Sequence, residues 1–414
     1  MRKSYAVYFL VILISLVVGC AKDTVTEHYT FYRPIYDMAT SVKERIKSAA
    51  PLPVQSPGKL AVRGNYIYLS ELNKGVHIID FSNPRTPLNI GFVAIPGNAD
   101  LAVRDNYLYA DCYKALVVID ISHPESAHLV NYINNVFPER YQGLASDTMQ
   151  VIIDWQRVDT SVTHPFEQKF DQTLNYQVLT SGTFASASSS KSNTGNSTGG
   201  SMARFALKED RLYTVSYYNL KVFNTANAAL PQFIKTVGLQ AGDIETIFPY
   251  KEQLFIGAQT GVHIYNVSNK DNPVFLSKFV HVRMCDPVIA ADNYAYVTLR
   301  DGSTCGKAAN ELEILNITDV TNPVLLKSYA LQGPNGLSKD GSLLFICDGT
   351  AGVKIFNAAD PMNLQLVRTI TGIDAADVIA QDGVAIVMAT DGLYFIDYKN
   401  PGEAGIIAHF SLTE

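Results

Sequence analysis

Most of the short signatures of enzyme chemistry are missing from this 414-residue chain. There is no GxGxxG opening a helix and no P-loop, so phosphate-cradling loops are excluded. None of the eight histidines belongs to an HExxH motif or another close pair, and the five cysteines include no CxxC. That leaves no ready zinc site. Lys/Arg runs are absent and the formal net charge is −6, which argues against a phosphate-binding surface and hence against nucleic acid. With a single tryptophan, the tryptophan-rich blade motifs of quinone-dependent dehydrogenases are missing as well. The triplet of Ser303, Thr304 and Cys305 has no positioned base beside it and reads as a turn.

What is present begins at the N-terminus. Arg2 and Lys3 precede an apolar run from Tyr5 to Val18 and then Gly19-Cys20, the layout of a secretory signal. Fourteen helical residues would cover about 21 Å, short of the roughly 30 Å bilayer core, so a permanent span is not expected. Val17-Val18-Gly19-Cys20 resembles a bacterial lipobox, which implies removal of residues 1–19 and acylation of Cys20. Two or more acyl chains would anchor the protein stably to a membrane. Loss of the signal takes the formal charge to −8. Lys22-Asp23 resembles the signals that send outer-membrane lipoproteins to the cell surface, and reads equally as plain linker. Residues 20–58 are expected to be a lipid-anchored tether, polar and tyrosine-rich from His28 to Tyr36. Met38, Val42 and Ile46 recur at four-residue spacing and predict a short helix before Pro51 and Pro53.

The rest of the chain repeats itself. The segment Gly75-Val-His-Ile-Ile-Asp-Phe-Ser-Asn-Pro recurs as Ala115-Leu-Val-Val-Ile-Asp-Ile-Ser-His-Pro. Related copies begin at Gly261, Glu311, Gly352 and Gly392, with a degenerate one at Asn219. Each is an apolar strand closed by Asp or Asn, at positions 80, 120, 224, 266, 316, 357 and 397, followed by a turn cluster. Upstream of it lie two shorter strands, such as Lys59–Arg63 and Asn65–Leu69, and a fourth follows the turn. Four strands per unit of about 40 residues is a propeller blade, since a lone blade cannot bury both faces and radial stacking does. The fold is therefore read as an all-β propeller of about seven four-stranded blades over residues 59–414. Gly405–Phe410 is able to complete the last blade without help from the N-terminus.

These units resemble LVIVP-repeat proteins, β-propellers and lipoproteins of the bacterial envelope. The resemblance is carried by Gly75–Asp80, Ile95–Asp100, Cys285-Asp-Pro-Val, Tyr296–Arg300 and Cys347-Asp-Gly. It implies the fold and a place in the envelope, and no activity, because propellers host unrelated functions.

The longest gap between repeats holds an insertion, residues 131–200. Its Ser/Gly-rich part, 180–200, buries too little apolar surface to offset its ordering entropy and is expected to be disordered. The insertion reads either as a recognition loop or as a tolerated surface excursion. Trp155 reads as its buried anchor or as an exposed binding aromatic. Cys285 and Cys305 open onto the same face of the fifth blade and suit a disulfide, worth on the order of 3 kcal/mol. Cys112 and Cys347 end second strands of different blades and are expected to stay unpaired, while His77 and His263 share one structural slot.

Near the starts of the first strands lie Asp100, Asp243, Glu245, Asp286, Asn335 and Asp377, which would surround one mouth of the central channel. They read as a polar rim, as ligands for Ca²⁺ in the channel, or as a substrate pocket. Two functions follow. The first is a non-enzymatic binding or assembly scaffold for protein or glycan ligands, held to the membrane by its N-terminal lipid. The alternative is a metal-assisted hydrolase or lactonase at the channel mouth.

Overall fold

The computed structural model describes residues 24–138, 150–165, 196, 198–201, 203–240, 242, 244–280, 287–301 and 310–412. The chain forms two compact units, residues 1–36 with 152–181, and residues 37–151 with 182–414. The signal segment, Cys20, Asp243, Cys285, Asp286 and Cys305 lie outside the described residues.

The first unit is built on a two-stranded sheet of Thr24–Met38 and Gln150–Pro165. Side chains tie it: Thr26 and Thr163 hydroxyls lie 2.9 Å apart, and Thr30 Oγ1 donates to Asp159 Oδ1 at 2.6 Å. The stretch read as an aperiodic tether is thus a long strand, which its Thr, Tyr and Phe content favours. The expected helix reduces to one turn, Ala39–Val42, continued by a 3-10 turn, Lys43–Arg45. Of the three spaced apolar residues, Val42 and Ile46 are buried and Met38 is exposed.

The second unit is the propeller, with seven blades. Blades 1 to 7 have inner strands Pro57–Arg63, Leu101–Arg104, Phe205–Lys208, Ile244–Tyr250, Val288–Ala291, Leu337–Asp340 and Ala375–Gln381. Each continues outward through three further antiparallel strands. Blade 1 has six strands, because Thr198–Gly199 joins its inner edge and Lys47–Ala49 its outer edge. The expected tether boundary at residue 58 therefore falls inside the propeller. Blade 7 is completed by Gly405–Ser411 from its own repeat. Among the described residues the ring closes through side chains, with Leu60, Val62 and Ile67 packed against Ile379, Ile386 and Phe395. Burial at such an interface stabilises by about 25 cal/mol per Å² of apolar surface.

The repeat signature now has a mechanism. The Asp or Asn that ends every third strand accepts the backbone N–H two residues on, through one side-chain oxygen, at 2.7 to 3.0 Å in all seven blades. This local turn stops the strand and aims the chain into the outer one. At the start of that strand, Gly75, Gly261, Gly352 and Gly392 have φ of +151°, +134°, +85° and +148°. A Cβ there would collide with the carbonyl oxygen of the outer strand, so glycine is required on two counts. The blades are also stapled: the hydroxyls of Tyr109 and Tyr213 donate to the carbonyls of Ala228 and Lys270 in the next blade, both at 2.8 Å.

Candidate functional site

The propeller has two faces. Loops between blades, and turns joining second to third strands, lie on one, the loop face. The tight turns between first and second strands lie on the other, the hairpin face. The inner strands run from the first to the second and surround the axis.

On the loop face the structure brings Asp100, Glu245, Asn335 and Asp377 around the axis, as expected from their repeat positions. Two of them, Asp100 and Asp377, are buried, whereas Glu245 and Asn335 are partly exposed. Asp100 is 1% exposed and Asp377 is wholly buried. Asp100 Oδ1 accepts the Leu101 N–H and its Oδ2 the Arg204 N–H, both at 2.9 Å. The Asn335 side chain donates to the carbonyls of Gly333 and Ala375 at 3.1 and 3.2 Å and accepts from Arg300. Asn335 is thereby a knot between blades 5, 6 and 7. The Asp377 carboxylate packs so closely on Gly336 that a Cβ there would collide with it.

Three cations share this space, and their sequence positions gave no sign of it. Lys59, on the inner strand of blade 1, has its amine pushed down to about 8. Burial is the main cause; Arg204 adds to it, while Asp100, Asp377 and Glu245 oppose it. Burial raises the Glu245 carboxyl, against the pull of Arg204, a hydrogen bond to Gln259, Lys59 and Arg300. Arg300 is drawn down by burial and supported by Glu245. The described ring is charge-balanced, and the Asp100 oxygens and the Asn335 amide already serve main-chain and Arg partners. A hard cation takes six to eight oxygens, waters included, and the described part of the ring has committed most of its own. Among the described residues no group of three His, Cys, Asp or Glu side chains is placed to hold a metal.

The axis itself is occupied by the chain. Beyond Pro138 the insertion leaves blade 2 on the loop face, where Phe137 is anchored by its N–H to Lys114 O at 2.8 Å and by stacking on Phe205. It returns at the hairpin face, where Asn196 bridges to Arg104 of blade 2. Thr198 and Gly199 then pair with Val62 and Ala61 of blade 1. Ser201 Oγ accepts the Leu337 N–H of blade 6 at 3.1 Å, and Ala203 O accepts the Ile247 N–H of blade 4 at 2.8 Å. Arg204 reaches Asp100, and blade 3 begins. The described residues Asn196, Thr198–Ser201 and Ala203 thus lead along the channel from one face to the other. The tail of the segment expected to be disordered is a strand, because its pairing is main chain to main chain and its Gly and Ser residues fit a narrow axis.

At the hairpin face this thread pairs with the inner strand of blade 1 and bridges to blade 2. On the side of blades 3 to 7 the hairpin face retains a cavity of about 490 Å³. It is lined by Leu207, Phe248, Pro249, Ile289, Ala290 and Thr198, together with the charged Lys208, Lys251, Asp292 and Lys339.

Other expected residues are structural. His77 is buried, 3.1 Å from Glu71 Oε2, and His263 is buried in the same slot of blade 4. In blade 6 the slot holds Lys354, paired with Asp348. Glu71, Asp111 and Asp348 act alike in their blades, since each accepts two successive backbone N–H groups of the loop leading into its inner strand. Cys112 and Cys347 are free and buried, and burial pushes the Cys112 thiol up to about 12. Trp155 lies in the strand Gln150–Pro165, with its side chain outside the described residues, as are both partners of the expected disulfide.

Comparison with known proteins agrees with this architecture. The LVIVD repeat matches residues 57–94 and 96–134, which are blades 1 and 2. The expected family is borne out, with the repeat ending in Asp; Leu116–Asp120 reads Leu-Val-Val-Ile-Asp, and its Asp is the turn-forming residue. The first two blades are thus LVIVD repeats in a seven-bladed propeller. A functionally unknown protein from Desulfotomaculum acetoxidans is 13% identical, over 84% of this chain and 97% of its own, with a TM-score of 0.53. A protein from Lactobacillus plantarum is 14% identical over 86% and 97%, with a TM-score of 0.52. PorZ of Porphyromonas gingivalis, an essential bacterial surface component of the type-IX secretion system, is 11% identical over 89% of this chain and 40% of its own, at 0.50. At such identities the likeness shows the fold alone. No curated protein matches the sequence.

Proposed function

We propose that this protein is a bacterial envelope lipoprotein, tethered through Cys20, whose propeller is a non-enzymatic scaffold for protein or glycan ligands. The observation that carries the reading is the threaded channel. The axial space at the loop face is used structurally: Asp100 holds the returning chain, Asn335 knots three blades, and Thr198, Gly199 and Ser201 occupy part of the axis. Recognition then falls to the outer surfaces and the remaining mouth of a rigid body. The lipobox-like Val17–Cys20 supports the tether, and the surface role stated for PorZ is a fold-level analogy in the same direction.

Cross-linked co-purification of the full-length protein from its native envelope tests this, with proteins and glycans both identified. A stoichiometric partner, and incorporation of an alkyne-palmitate label that Cys20→Ala abolishes, are the expected results. Turnover of a substrate by purified protein, lost on Asp100→Asn, would overturn the scaffold reading in favour of a channel-mouth enzyme.

A further inference from the structure

We propose that the cavity on the hairpin face receives an extended peptide of a partner protein, added as a strand to the inner edge of blade 5 at Ala290. This rests on the scaffold reading and names the chemistry of its partner: a main chain with small side chains.

Alternation along the inner strands decides which backbone groups face the axis. In every blade a two-residue turn joins the first and second strands, flanked by pairs such as Arg63 with Tyr66 and Ala291 with Tyr294. Residues flanking such a turn exchange both backbone hydrogen bonds, so the residue before them directs its N–H and C=O the other way, toward the axis. Those residues are Val62, Val103, Leu207, Pro249, Ala290, Lys339 and Ala380 in blades 1 to 7.

The chain itself serves the first two blades, pairing Thr198 with Val62 and bridging Asn196 to Arg104 beside Val103. The other five all line the cavity. Beside Leu207 the returning chain also reaches blade 3, where the Asn196 amide donates to Glu209 O at 3.1 Å. Pro249 has no N–H, and the Ala380 N–H donates to Ser338 Oγ at 3.0 Å. Lys339 places a charged side chain, paired with Asp292 at 2.7 Å, on its own edge, a common guard against strand addition. Blade 5 instead offers Ile289, Ala290, Ala291 and Asp292 in succession to the cavity. An unpaired edge of this kind is a template for strand addition. The pairing of Thr198–Gly199 with blade 1 shows that this channel accepts a strand, and residues 198–201 are Thr, Gly, Gly and Ser. The cavity volume lies within the roughly 300–1,000 Å³ of ordinary ligand sites.

The test uses the full chain and a fluorescein-labelled synthetic peptide with the sequence of residues 196–203, read by anisotropy. Saturable binding is expected, weakened at least about tenfold by Ala290→Pro and by N-methylation of alternate peptide residues. Proline at 290 removes only the axis-directed N–H, and Pro249 shows that the fold accepts it at this repeat position. Should Ala290→Pro fail to fold, Gln381→Trp, which narrows the cavity from a partly exposed site, is expected to give the same loss. Absence of saturable binding, or binding unchanged in the folded variants, would overturn the inference. A partner recovered from the envelope without peptide binding would overturn it too, while leaving the scaffold reading intact.

Discussion

Glu71 shows how much one side chain does in this fold. It is 2% exposed, accepts from the Gln55 and Ser56 N–H groups and contacts His77. Burial pushes its carboxyl up, yet these hydrogen bonds outweigh burial and hold it below the usual carboxylate range. A depressed folded value contributes stability that is present above the unfolded value, about 4.3, and is lost as pH falls through the folded one. Glu71→Gln should cost about 1–3 kcal/mol near neutral pH, with the gap to wild type closing below about pH 4.3 in urea titrations. A constant gap down to low pH would contradict this role. Gly261→Ala should cost about 1–3 kcal/mol through its φ of +134° and the clash with Phe279 O, whereas Gly402→Ala, with open space around it, should be nearly neutral. At this scale the sequence was readable because the repeat residues act locally: Asp120 forms its own turn with Ser122. Lys59, Arg204 and Arg300 were not readable, since each comes from a different blade and only the closed ring joins them.

Among the elements, blades and channel thread differ in how they announce themselves. Blade strands alternate and run apolar because both faces are covered, so all seven were visible in the pattern. Residues 196–201 carry no apolar signal; their ordering comes from strand edges elsewhere in the chain, and composition alone reads as disorder. Thr24–Met38 has strand-favouring Thr, Tyr and Phe, but its partner lies more than a hundred residues away and gave no local sign of pairing. Ser201 is 2% exposed and accepts the buried Leu337 N–H. Ser201→Ala is expected to cost about 1–3 kcal/mol, because it strands a buried donor. A loss well under 1 kcal/mol in chemical denaturation would mean that the thread is not held there.

The propeller as a whole is a closed ring whose axis carries part of its own insertion, Thr198–Gly199 and Ser201, beside a cavity on the hairpin face. No strand is exchanged to close it: blade 7 supplies its own outer strand and meets blade 1 through Phe395, Ile386, Leu60 and Ile67. Phe395→Ala should therefore cost about 3–5 kcal/mol in a thermal or chemical melt, as removal of a large core side chain does. The threaded axis matters most, since both the scaffold reading and the peptide site depend on it. Amide hydrogen exchange by mass spectrometry, over a proteolytic fragment spanning residues 196–204, tests it most directly. Protection comparable to the inner strand of blade 1 is the predicted result, and complete exchange within the dead time would contradict it.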